Sequence, residues 1–136
     1  MEFREVLIGR KGRDFVSILP GFADGEGWFD AVIHVRCNAF SGSFNASFMT
    51  GELSQFAEDL RQLQKDLRGA VVLDPVEPYL KMKFIGDGKG HIDVTGEACS
   101  TFPGACLQFE FEIDQTFLPA IIADLSANEA ERARRK

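Results

Sequence analysis

The sequence predicts an α+β fold: a mostly antiparallel sheet of about six strands with two helices packed on one face. Three observations carry that expectation. Several short runs alternate apolar and polar residues, as in "FDAVIHVRC" and "ACLQFEFEI", which is the pattern of strands with one buried face. One long segment, "TGELSQFAEDLRQLQKDLRG", repeats its apolar residues at three- and four-residue spacing, the pattern of an amphipathic helix. Glycine, proline and aspartate gather between these runs, where turns belong.

The chain opens with two short strand candidates, Glu2 to Ile8 and Asp14 to Leu19, and a loop from Pro20 to Gly27. In the next run Phe29, Ala31, Ile33, Val35 and Cys37 share one parity, while Asp30, Val32, His34 and Arg36 share the other. "FSGSFNASF" follows, with Phe40, Phe44 and Phe48 facing one way and small polar residues the other. These phenylalanines are read as core, and the small polar face as a surface that another body can approach closely.

In the first helix Leu53, Phe56, Ala57, Leu60, Leu63 and Leu67 form the apolar stripe. Thr50 suits the N-cap, Glu52 the positive helix start, and Gly69 the end. Val71 to Leu73 is a further short strand. "YLKMKFI" and "HIDVTG" flank the tight turn "GDGKG" as a hairpin. A loop holding Pro103 and Gly104 leads to the last alternating run, and a second helix starts near Thr116 with Leu118, Ile121, Ile122 and Leu125 inward. Residues 1–126 are thus expected to form one domain, with 127–136 a polar charged tail that frays.

The 136 residues suffice for one core without a metal or disulfide. Thirteen phenylalanines against one Trp and one Tyr point to a dry core, since Phe has no polar handle. The net charge is −6; the tail holds two acids and four bases, so the body is −8. That sign disfavours direct nucleic-acid binding and suits a basic protein partner. No apolar run is long enough to span a bilayer. Three cysteines, Cys37, Cys99 and Cys106, fit free thiols in a cytoplasmic protein, although Cys99 and Cys106 flank a loop that a bridge could close.

No catalytic motif is present. His34 and His91 lie on polar strand parities without a nucleophile or metal motif around them. "GDGKGH" is a hairpin turn, lacking the spacing of a phosphate loop. Glu110 and Glu112 share one strand face, as do Lys81 and Lys83 elsewhere, and cross-strand ion pairs between them explain both sets. The residues themselves show no evident catalytic, cofactor or metal site, and none is expected; an enzyme using His34 or His91 is a further reading, for which that histidine should lie in a cleft beside an orienting partner.

The segments "GWFDAVIHVRCNAFSGSFNASF", "TGELSQFAEDLRQL", "LKMKFIGDGKGHIDVTGE" and "LQFEFEIDQTFLPAIIADL" together resemble the WapI-type bacterial immunity proteins and related small domains. The resemblance covers most of residues 28 to 125 and rests on structural motifs. It implies a non-enzymatic cytoplasmic protein that binds and neutralises a toxin domain, commonly a nuclease with a basic cleft. Asp24, Glu26, Asp30, Asp93, Glu110 and Glu112 are the acids expected to touch it. The competing expectation is a small-ligand-binding domain with a pocket of ~300 Å³ or more between the Phe-rich sheet and the helix. Self-association into a homodimer through the polar strand face or an open sheet edge is a further expectation.

Overall fold

A computed structural model describes residues 2–101 and 104–134. Its strands are β1 (Val6–Gly9), β2 (Phe15–Ala23), β3 (Trp28–Cys37), β4 (Phe40–Met49), β5 (Arg68–Leu73), β6 (Leu80–Asp87), β7 (His91–Cys99) and β8 (Cys106–Asp114). Helix α1 (Thr50–Asp66) joins β4 to β5, and α2 (Leu118–Arg134) closes the chain after a 3-10 turn at Gln115–Phe117. The α+β class stands, with every strand pair antiparallel.

The strands number eight, in two sheets ordered β1-β2-β3-β4 and β5-β6-β7-β8. The single sheet of about six is corrected here because β5, after crossing through α1, pairs with β6 and not with β4. The chain is thus two β-meander-plus-helix halves. Helix α1 packs on α2 and β5, whereas α2 packs on β1 and β2, and β8 touches both β1 and β3 where the sheets meet. The free Cys37 lies at that seam, its Sγ 3.9 Å from the Glu110 carbonyl.

Both sheets turn their apolar parity into one continuous core. Phe29 stacks on Phe48 across β3–β4 at 5.8 Å between ring centroids, and Phe56 of α1 meets Phe84 of β6 edge-on at 5.6 Å. Full burial of such a side chain stabilises the fold by roughly 1.5–3 kcal/mol. Phe48 is buried and Phe44 half-buried, but Phe40 is 69% exposed. The reading of all three as core is corrected at Phe40: β4 is an edge strand, and its first half lies outside the core.

Other local expectations shift by a residue or two. Met49, not Thr50, caps α1; its N–H donates to Glu52 Oε1 at 2.7 Å. The other Glu52 oxygen accepts from the Val76 N–H at 2.7 Å, so one carboxylate ties the helix start to the loop after β5. Leu67 ends α1 in the left-handed region at φ 61°, and Gly69 lies inside β5. Pro20 sits within β2, where the register shifts between Pro20 and Ala23, an irregularity that tolerates its missing N–H.

The expected fraying after Ser126 is also corrected. Helix α2 continues to Arg134, and Asn128, Glu131 and Arg132 are buried. Asn128 Oδ1 accepts from the Arg4 N–H at 2.7 Å, and its Nδ2 donates to the Arg4 carbonyl at 2.8 Å. The Arg132 guanidinium lies 4.3 Å from the Phe29 ring centroid. Pro103 and the tail residues Arg135 and Lys136 lie outside the described residues. Cys99 and Cys106 face each other in the β7–β8 register and are bonded as a disulfide, so the expectation of three free thiols gives way to one, Cys37.

Asn128→Ala should lower the unfolding free energy in urea by about 1–3 kcal/mol, because it leaves two backbone groups of Arg4 without their partner. The exposed neighbour Ala130→Ser should change it by no more than ~0.5 kcal/mol. An Asn128→Ala chain as stable as the parent would show that the end of α2 is not integral to the fold.

Candidate functional site

The strand parity that buries Ile92, Val94, Phe109 and Phe111 turns Asp93, Glu110 and Glu112 outward. The register then makes neighbours of residues far apart in sequence. Asp93 is opposite Glu112, Thr95 is opposite Glu110, and His91 is opposite Asp114. Directly opposed side chains in such a pair are about 4.5–5.5 Å apart at Cβ. Three of the six expected contact acids therefore share one exposed face. Asp87, Glu97 and Asp114 extend it, while Lys81 and Lys83 are its lysines.

Ion pairing of those lysines with Glu110 and Glu112 is corrected by the register. Lys83 is opposite Thr95 and Lys81 opposite Glu97, so β7 separates both from β8. Among the described residues no ion pair within 4 Å involves either lysine. Glu112 has a different partner: its Oε2 is 2.9 Å from His91 Nε2. That hydrogen bond and the carboxylate charge raise the His91 pKa above its ordinary 6.5. Asp87 accepts from the Lys89 and His91 N–H groups at 2.6 and 3.1 Å, which holds its pKa down and closes the hairpin turn.

The remaining three acids lie on the first sheet. Asp24 caps the β2–β3 turn, accepting from the Glu26 N–H at 2.8 Å and the Trp28 N–H at 3.0 Å. These backbone donors lower its pKa. Glu26 is exposed in the same turn, and Asp30 accepts a 2.8 Å hydrogen bond from Ser47 on β4. The six acids thus fall into two groups on different sheets.

Sequence reasoning missed a wide opening. A cleft of about 810 Å³ lies where the β1–β2 turn and the end of β3 converge on β8. Arg10, Arg13 and Arg36 line it together with His91, Glu112 and Asp114. Arg10 lies over the Phe117 ring at 5.3 Å from its centroid. The arginines are 26 positions apart at their extremes; the β1–β2 turn holds Arg10 and Arg13, the β2–β3 register sets Arg36 opposite Phe15 beside that turn, and the packing of the two sheets adds β8 to the cleft. His91 lies in this cleft beside an orienting carboxylate, Glu112, which is the setting that the histidine-enzyme reading asks of it. His34 is exposed on β3 opposite Ser43.

A second groove, about 440 Å³, opens at the start of α1 between Met49, Phe56 and Leu73. It does not run beneath the Phe strand, where Phe48 and Ala46 are closed in the core. Glu97, Cys99 and Cys106 place one ligand atom each within 4.8 Å of one another. With the two sulfurs bonded to each other the group lacks the thiolates that a metal needs. No helix among the described residues is long and apolar enough to cross a membrane.

The model described as the immunity protein WapI-like family matches residues 8–131, and the chain belongs to that family. No curated protein matches it in sequence. A solved chain from "Crystal structures of trypanosoma bruciei MRP1/MRP2" is similar in fold, with a TM-score of 0.50 at 12% identity, covering 96% of this chain and 84% of that one.

His91 should titrate above 6.5 by NMR, and Glu112→Gln should bring it back towards that value. A raised folded-state pKa means that the pair stabilises the fold below the unfolded-state pKa. Its contribution is lost as pH rises through the folded-state value. An unchanged His91 titration in Glu112→Gln would contradict the pairing.

Proposed function

We propose that this chain is a non-enzymatic immunity protein that binds a toxin domain in the bacterial cytoplasm and blocks it with the acidic outer face of β7 and β8. Family membership supports the immunity role. The observation that carries the choice of surface is the cross-strand placement of Asp93 against Glu112, with Glu110 on the same face. Opposed carboxylates repel one another and weaken the strand pair; a basic partner relieves that repulsion, so the face is built to receive positive charge. A nuclease with a cationic substrate cleft is the toxin class that fits, because the carboxylates take the place of substrate phosphates. Asp24, Glu26 and Asp30 form a second, smaller contact patch in this reading.

The test is co-expression with the toxin domain encoded beside the gene, scoring growth and complex formation. The parent chain should restore growth. Asp93→Lys/Glu110→Lys/Glu112→Lys should slow association by ~10-fold or more at low salt and flatten its dependence on ionic strength, because charge steering acts on the encounter rate. An association rate and salt dependence equal to the parent's would remove this face from the interface.

A further inference from the structure

We propose that β4 pairs with the β4 strand of a second copy, joining two first sheets into one continuous eight-stranded sheet. Strand β4 is the outer strand of its sheet, with β3 on one side and, among the described residues, no strand on the other. Its principal contacts are with β3 and with α1, the helix it runs into, whereas β1, β5 and β8 each pack against an element of the other half or a helix. A free edge offers unpaired N–H and C=O groups along its length, and natural proteins usually guard such edges with lysine, proline or a bulge. None of these guards is present. Residues 37 to 51 contain no charged side chain and no proline, the longest uncharged run in the chain. The β3–β4 register is unbroken over all ten pairs, from Trp28–Met49 to Cys37–Phe40. This edge is regular in register, unprotected and ends in an exposed Phe40.

The sequence of the edge identifies its occupant. "FSGSFNASF" reads nearly the same in both directions about Phe44. A two-fold axis at Phe44 with antiparallel strands places Phe40 opposite the partner's Phe48 and Ser41 opposite the partner's Ser47. Gly42 meets the partner's Ala46, Ser43 meets the partner's Asn45, and the two Phe44 rings meet on the axis. Like therefore meets like at every position, which is the self-complementarity that a two-fold interface requires. Charge points the same way. Two bodies of net charge −6 repel over most of their surface, and this neutral strip lets them touch without placing carboxylates together. A cationic toxin would gain nothing electrostatic from it. The outward residues Ser41, Ser43, Asn45 and Ser47 are small, so they present no bulk to a second backbone. The dimer uses the β4 edge of the first sheet and leaves the β7–β8 face open for the proposed toxin contact; Asp30 of the smaller contact patch, which accepts from Ser47, borders the edge.

A single strand pair is small beside the roughly 1,200–2,000 Å² of a stable interface, so the mass should depend on concentration. Sedimentation of the purified chain should show the 15.1 kDa monomer giving way to twice that mass as concentration rises. Ser43→Lys/Asn45→Lys puts lysines directly opposite one another in this register, as Ser43→Glu/Asn45→Glu does glutamates, and each should weaken dimerisation by ~10-fold or more. Mixing the two variants should restore a dimer as a heterodimer, which also shows that both are folded. A parent chain that stays monomeric at every concentration, or variants that dimerise alone as well as the parent, would overturn the proposal. A mixture that stays monomeric would overturn it too.

Discussion

The shared burial of two sheets under two helices is the constraint on which the rest of the structure depends. Each meander has one apolar parity, and neither can cover it alone. Helix α1 presents Phe56, Ala57, Leu60 and Leu63, α2 presents Leu118, Ile121 and Leu125, and all belong to one core cluster. Once that parity is fixed, the alternate side chains on a strand turn to the opposite face. The acids of β7 and β8, the small polar row of β4 and His91 are outside for the same reason that Ile92, Phe48 and Val94 are inside. Gly96 shows how tightly the arrangement is held: a Cβ there would sit 2.3 Å from the Lys81 carbonyl oxygen and 2.5 Å from the Phe109 ring.

Much of this was legible in the residue pattern. Alternation located β3, β4, β6, β7 and β8, and the leucine spacing located α1, because a period of two or of 3.6 is set by local geometry. Tertiary context decided the rest. Nothing in "GAVVL" says that β5 joins β6 rather than β4, so one sheet was expected where two exist. The polar residues after Ser126 suggested a tail; Asn128 is buried because two hydrogen bonds to the Arg4 backbone satisfy its amide, and Arg132 because its guanidinium lies over Phe29. The six acids were chosen by sign and exposure alone, so the sequence could not show that Asp24 caps a turn or that Asp93 faces Glu112. The arginine-lined cleft needed the β2–β3 register to bring Arg36 to the β1–β2 turn that holds Arg10 and Arg13, and the docking of the second sheet to set His91, Glu112 and Asp114 beside them.

Charge and fold divide the surface between two kinds of contact. The second sheet carries the acidic face, while the first ends in an uncharged edge. In the readings proposed, the acidic face suits a basic partner and the uncharged edge suits a copy of the same chain. Neither needs a catalytic group, in keeping with membership of an immunity protein family. The most direct test of the toxin-binding surface is amide hydrogen exchange of this chain with and without the active toxin domain encoded beside its gene. The account predicts new protection over residues 91–97 and 108–114. Protection confined to other segments, or no complex with an active toxin, would contradict it.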